Sequence, residues 1–129
     1  MAAGLSAVNL ANAWLNTLSG TTFTGVNTFV KLHTGDPGAS GTANASANTT
    51  RVALTWGAAA SGSKAIVATL PVWSTWAAGS ETLSYISVWD NLTVGNFLFS
   101  AQLTVARSVA NGDNVTLSSL SFALTPIAA

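Results

Sequence analysis

Cysteine is absent from the 129-residue chain, which excludes a disulfide scaffold and any thiolate metal site. Charge is nearly absent too. Apart from the single His33, the only ionic side chains are Lys31, Arg51, Lys64, Arg107, Asp36, Glu81, Asp90 and Asp113, 6% of residues where about 25% is ordinary. The formal net charge is zero, so electrostatic capture of nucleic acid or of an anionic membrane is excluded as a main function, and neither is expected as a partner. No apolar run approaches the roughly 20 residues that a transmembrane helix needs. The opening Met1-Ala2-Ala3-Gly4-Leu5 lacks the basic start of a secretory signal, as expected of a protein made in a reducing compartment.

Polarity comes instead from 15 Ser, 17 Thr and 10 Asn. The 49% hydrophobic fraction includes 23 Ala, but also 14 Leu, 11 Val, five Phe and five Trp, enough for a core and too much for a disordered chain. A surface this poor in charge gives a free monomer little colloidal protection, so much of it is expected to be covered by partner subunits. The length suits one β-rich domain over residues 1–129, with no internal repeat and no boundary.

The first segment predicts a helix over 3–19. Leu5, Val8, Leu10, Trp14, Leu15 and Leu18 fall on one broad stripe at 100° per residue, and Gly20 sits where a C-terminal cap belongs. Asn9, Asn12 and Asn16 form the other face. An amide face without Lys or Glu is a candidate subunit contact, although a plain surface helix covering one end of a sheet is the simpler expectation.

From Phe23 the pattern changes to period two, with Val26, Thr28, Val30 and Leu32 on one face of a strand that His33 ends. Gly35-Asp36-Pro37-Gly38 is a turn: Pro37 presets φ, Gly38 accepts positive φ, and Asp36 can bond the turn's amides. Residues 39–50 contain no large apolar side chain and read as an exposed loop or arm, with Asn44 and Asn48 as candidate contacts. Strands are expected at 51–56, 64–73 (with Pro71 implying an edge or bulge), 82–89, 96–105 and 114–124. The last changes phase near Ser118-Ser119, as a bulge would. Asn91 to Gly95 reads as a turn, and Asn111-Gly112 suits a type I′ hairpin. Six strands and one N-terminal amphipathic helix predict a mainly β fold, a compact antiparallel β-sandwich or flattened barrel.

Chemistry-bearing patterns are scarce. One His and no Cys cannot supply a zinc site, and the four carboxylates lack calcium-loop spacing, so neither a metal nor a cofactor is expected. His33 and Asp36 with some Ser can be drawn as a triad, but there is no Gly-x-Ser-x-Gly motif, and a strand end with a turn-forming Asp is the far commoner arrangement. Glu81 and Asp90 stand at opposite ends of one expected strand, roughly 30 Å apart at about 3.3 Å per residue, too far for either glycosidase geometry. No enzymatic activity is expected. Trp73 and Trp76, flanking Ser74-Thr75, are candidate anchors of a subunit contact and, less readily, sugar platforms of a carbohydrate-binding module.

In order along the chain stand the helix, then Leu32-His33-Thr34-Gly35-Asp36-Pro37-Gly38, and a Gly/Ala/Asn-rich spacer. There follow Arg51-Val52-Ala53-Leu54-Thr55-Trp56-Gly57, Ile86-Ser87-Val88-Trp89-Asp90 and Gly95-Asn96-Phe97-Leu98. This order resembles small virion proteins of tailed bacteriophages, labelled tail-fibre-like, minor tail or head-decoration proteins. Ser87-Val88-Trp89-Asp90 stands where that family usually carries Gly-Leu-Trp-Asp. The resemblance implies a non-enzymatic structural subunit of a phage particle, made in the bacterial host cytoplasm. Because no fibrous region is evident, the capsid surface is expected ahead of the tail. There a decoration or minor capsid protein would pack on the major capsid protein and on copies of itself, a trimer being suggested by decoration at threefold positions. The alternative is a minor tail or tail-fibre-associated protein with tail proteins as partners.

Overall fold

β-Branched and aromatic residues without Gly or Pro make Glu81–Trp89 the natural centre of a sheet. A computed structural model describes residues 3–124 and places it there. Among the described residues there are eight strands. In chain order they are β1 (Phe29–His33), β2 (Val52–Ala53), β3 (Ser63–Ala65), β4 (Val72–Trp73), β5 (Glu81–Trp89), β6 (Phe97–Val109), β7 (Val115–Thr116) and β8 (Ser121–Ala123). The main sheet runs β2-β1-β5-β6, all antiparallel, and two short ladders pair β3 with β8 and β4 with β7. The result is a sandwich-like, mainly β fold, and the described strands close no barrel.

Register divides the sheet into two faces. Val30 stands opposite Val88 and Leu32 opposite Ile86, and these four side chains are buried with Leu54, Trp73, Trp76, Leu83, Phe99 and Val115 in the hydrophobic core. Lys31 opposite Ser87 and His33 opposite Tyr85 belong to the other face. That second face is closed where loop 34–51 folds back over it.

Several expected elements differ, each for a tertiary reason. The strand expected over 64–73 is two, β3 and β4. Pro71 is buried between them, and its carbonyl accepts from the Leu117 amide at 3.1 Å. The last expected strand divides at the phase change into β7 and β8, which join separate ladders, so its two parities face two different partners. Asn111-Gly112 does not close a hairpin, since β6 and β7 are not paired with each other. Only Gly112 of the central pair has positive φ (95°), and the Asp113 amide donates to the Ala110 carbonyl at 3.1 Å, as in a type II turn.

The N-terminal helical run is a π turn (Ala7–Ala11), a short α-helix, α1 (Asn12–Asn16), and a 3₁₀ turn (Thr17–Ser19), ended by Gly20 at φ 81°. Ser6 caps its start by accepting from the Asn9 amide at 3.3 Å. The preceding residues are stitched to the edge of β6: the Ser6 amide donates to Leu98 O at 2.7 Å and the Ser100 amide to Gly4 O at 2.9 Å.

Candidate assembly surface

The helix does not bury the stripe expected of it. Leu10 is buried, and Trp14 is half-buried against Phe23 and Phe122 in edge-on ring contacts. Val8, Leu15 and Leu18 point away, 77%, 62% and 86% exposed. The reason lies in the width of the stripe. At 100° per residue, Leu10 and Trp14 share one side, while Val8, Leu15 and Leu18 lie around the next, and a single sheet edge can cover only the first. The one signal available in the sequence was that the apolar sector is too wide for one contact.

Asn9 is not part of the open face: its side-chain amide donates to the Phe97 carbonyl at 2.9 Å, fastening the run to β6. Asn12 and Asn16 are exposed and flank Leu15. Beside the helix lies an apolar groove of about 350 Å³, bordered by Trp14, Phe23, Val26, Trp56 and Phe122 with Lys64 at its edge.

Residues 39–50 form a largely exposed loop, but one tied back along β1. The Ala43 amide donates to Pro37 O (3.0 Å), Thr34 N to Asn44 O (2.9 Å) and Ser46 N to Leu32 O (3.1 Å). Asn44 spends its side-chain amide on Asp36 O at 2.9 Å, and Asn48 accepts from the Thr50 amide at 3.1 Å. The Ser46 hydroxyl donates to Glu81, whose other oxygen accepts from the Ala47 amide at 3.2 Å. At the start of the loop Asp36 Oδ1 accepts from the Gly38 amide at 2.8 Å, Gly38 has φ 70°, and Pro37 is buried.

Trp73 and Trp76 require a correction. Both are interior, 3% and 1% exposed, their indole N–H groups donating to Thr50 O and Gly79 O, each at 2.9 Å. The aromatic faces are used up in the core, which removes both residues from the contact candidates and from any sugar platform.

His33 is wholly buried, but Asp36 is not its partner. Its Nδ1 lies 2.8 Å from Ala43 O, which can only accept, so Nδ1 carries the proton and the neutral ring's Nε2 accepts from the Ser87 hydroxyl at 2.7 Å. Ser87 Oγ in turn accepts from Trp89 Nε1 at 2.8 Å. Arg51 lies over the Trp89 ring, 4.0 Å from its centroid, and donates to Asn91 O and Val94 O at 2.8 and 2.7 Å. Among the described residues no buried side-chain polar atom lacks a hydrogen-bond partner, and no group of three or more His, Cys, Asp or Glu could hold a metal ion. Glu81 and Asp90 flank β5, the first engaged with the 46–47 loop and the second with Asn96, whose amide and side chain donate to it at 2.7 and 2.8 Å.

Burial holds His33 below its ordinary value of 6.5, opposed by the Ala43 carbonyl and reinforced by the charge of Lys31. Its stabilising effect is therefore complete above pH 6.5. It falls away as the pH drops below 6.5, where the unfolded chain gains a proton and the folded one does not, and levels off beneath the folded value. Urea midpoints should fall between pH 7.5 and 5, and His33→Gln should flatten that part of the profile. An unchanged slope in the variant would mean that another group governs it.

Fold and surface define the class: an antiparallel β-sandwich whose interior polar groups are closed by hydrogen bonds and whose helix leaves an apolar face open. The described residues include no helix long and apolar enough to cross a membrane. The chain belongs to the podophage GP4 fiber I protein gp80 family, whose model matches residues 5–125. It is therefore a structural component of a bacteriophage virion. No curated protein matches the chain.

Proposed function

We propose that this chain is a non-enzymatic subunit of the podophage tail-fibre apparatus, assembling with copies of itself and with tail proteins. The observation that carries this is the match of residues 5–125 to a fiber protein family. It favours the tail over the capsid surface, the placement for which small size and the lack of a shaft had argued. The buried His33–Ser87–Trp89 junction supports a structural role: its hydroxyl lies at 0% exposure with its acceptor site filled by an indole N–H, so it has no path to a substrate. Docking through apolar and amide groups would be nearly independent of salt.

Quantitative mass spectrometry of purified virions against the major capsid protein tests the reading. A handful of copies, in multiples of three or six and retained on isolated tails, is the expected result. Hundreds of copies in simple ratio to the major capsid protein would overturn it in favour of capsid decoration, and absence from particles would overturn both.

A further inference from the structure

The geometry points to a binding cleft between β6 and the chain of β7 that takes a carboxylate-bearing sugar, an acid of the uronic or sialic type, with Arg107 gripping the carboxylate. This site goes beyond the structural-subunit reading and does not depend on it.

The cleft is opened by an irregularity of the sheet. Tyr85 stands opposite Gln102 and Leu83 opposite Arg107, so four residues of β6, Leu103 to Ala106, face the single Ser84 of β5. A bulge of that size carries β6 away from its ladder and re-aims the side chains, and Val105 within it is 78% exposed. Leu103, Val105 and Arg107 wall a cavity of about 470 Å³, closed on another side by residues 114–119 and floored by the buried Leu32, Trp73 and Leu83. That volume falls within the range of small-molecule sites.

The chemistry of the lining defines the ligand. Among the described residues Arg107 is the only charged side chain that borders the cavity, and none of them engages its guanidinium in a hydrogen bond or ion pair. It stands opposite Leu83, which is wholly buried in the core, and an unpaired cation adds nothing to that packing. Its planar fork of donors matches a carboxylate through two parallel bonds. With it stand Thr104, Asn114, Thr116, Ser118 and Ser119. The four hydroxyls both donate and accept, as a polyol requires, and among the described residues none is engaged elsewhere. Asn114 keeps its NH2 group for donation, because its Oδ1 already accepts from the Thr75 amide at 2.9 Å. An inorganic anion, which only accepts, would leave half of this capacity unused. Half-buried Leu103 and Leu117 offer apolar surface to the C–H face of a ring. Trp73 contributes floor alone, its ring being enclosed in the core.

The test is a nuclear magnetic resonance titration of the isotope-labelled full-length protein with glucuronic acid, N-acetylneuraminic acid, glucose and inorganic phosphate. One or both of the acidic sugars should shift the amide signals of residues 103–107 and 114–119. Binding should be about 10-fold or more tighter than that of glucose, because only the acids form charge-assisted bonds. Arg107→Gln should weaken the acid by a similar factor and leave glucose unchanged. Arg107→Lys, which keeps the charge without the fork, should fall between. Arg107 is exposed, so an unchanged thermal midpoint would separate lost binding from lost folding.

No shift with either acid at about 20 mM overturns the inference, since that is weaker than any binding the cleft would be built for. Shifts confined to residues outside the cleft overturn it as well. Phosphate bound as tightly as the acids would reduce the cleft to an anion site, and glucose bound as tightly as glucuronic acid would remove the carboxylate; either result overturns the assignment. An Arg107→Gln variant that binds the acids like the parent protein does so too. Because binding is read on purified protein, it stands or falls separately from the particle stoichiometry that tests the function.

Discussion

Trp76→Ala should cost about 3–5 kcal/mol of unfolding free energy, measured by urea denaturation at neutral pH. Trp76 is among the largest fully buried side chains, and the backbone around it is fixed on both sides: its amide donates to Asp113 O and its carbonyl accepts from Gly112 N, each at 2.8 Å. Truncation leaves a void in the core and strips Gly79 O of its indole donor. Trp76→Phe retains most of the volume and loses chiefly the hydrogen bond, so a loss of about 1–2 kcal/mol is expected. A loss below about 1 kcal/mol for the alanine variant would mean that the indole is exposed after all, as the contact reading of the sequence required.

Gly41→Ala should be nearly as damaging, by about 2–4 kcal/mol, although it adds one methyl group. Gly41 has φ 72°, where a side chain is strained, and a Cβ there would lie 2.2 Å from Cδ2 of Phe97. The ring cannot yield cheaply because it packs against Trp89, 5.7 Å between centroids, which in turn donates to Ser87 beside His33. Near-ultraviolet circular dichroism should change with the tryptophan environment. Gly38→Ala is the control: φ is 70°, but the nearest atom to an added Cβ is Ala43 Cβ at 3.8 Å, so only the backbone penalty of about 1 kcal/mol should remain. Equal losses at the two positions would remove Phe97 from the explanation.

What could be read in the sequence was what local chemistry decides. Gly20 ends the helical run because only a left-handed residue lets the chain turn there, and β5 falls within one residue of its expected start because its alternation is uninterrupted. The mainly β sandwich with a single N-terminal helical segment follows from such elements. What was hidden depends on partners far along the chain. Val115 and Leu120 gave a phase change that fits a bulge as well as a chain crossing between ladders, and only the partners, β4 and β3, distinguish them. Trp73 and Trp76 look alike in a core or an interface, since both settings want a large ring with a satisfied N–H. On the helix, periodicity located apolar side chains around the axis without saying which of them the protein's own sheet would cover.

The docking of the helix also sets an order of events during synthesis. Trp14 leans on Phe23 and on Phe122, the Asn9 side chain is bonded to Phe97, and the residues before the run are bonded to Leu98 and Ser100. Phe23 apart, an uncharged helix thus emerges from the ribosome long before its anchors exist, at a pace of roughly 5–20 residues per second. Until β8 closes on β3, both sides of that helix are sticky at once, and neighbouring nascent chains on one message present the same surface. Synthesis with the helix left uncovered is therefore expected to yield more aggregate than synthesis beside a chaperone that binds apolar segments.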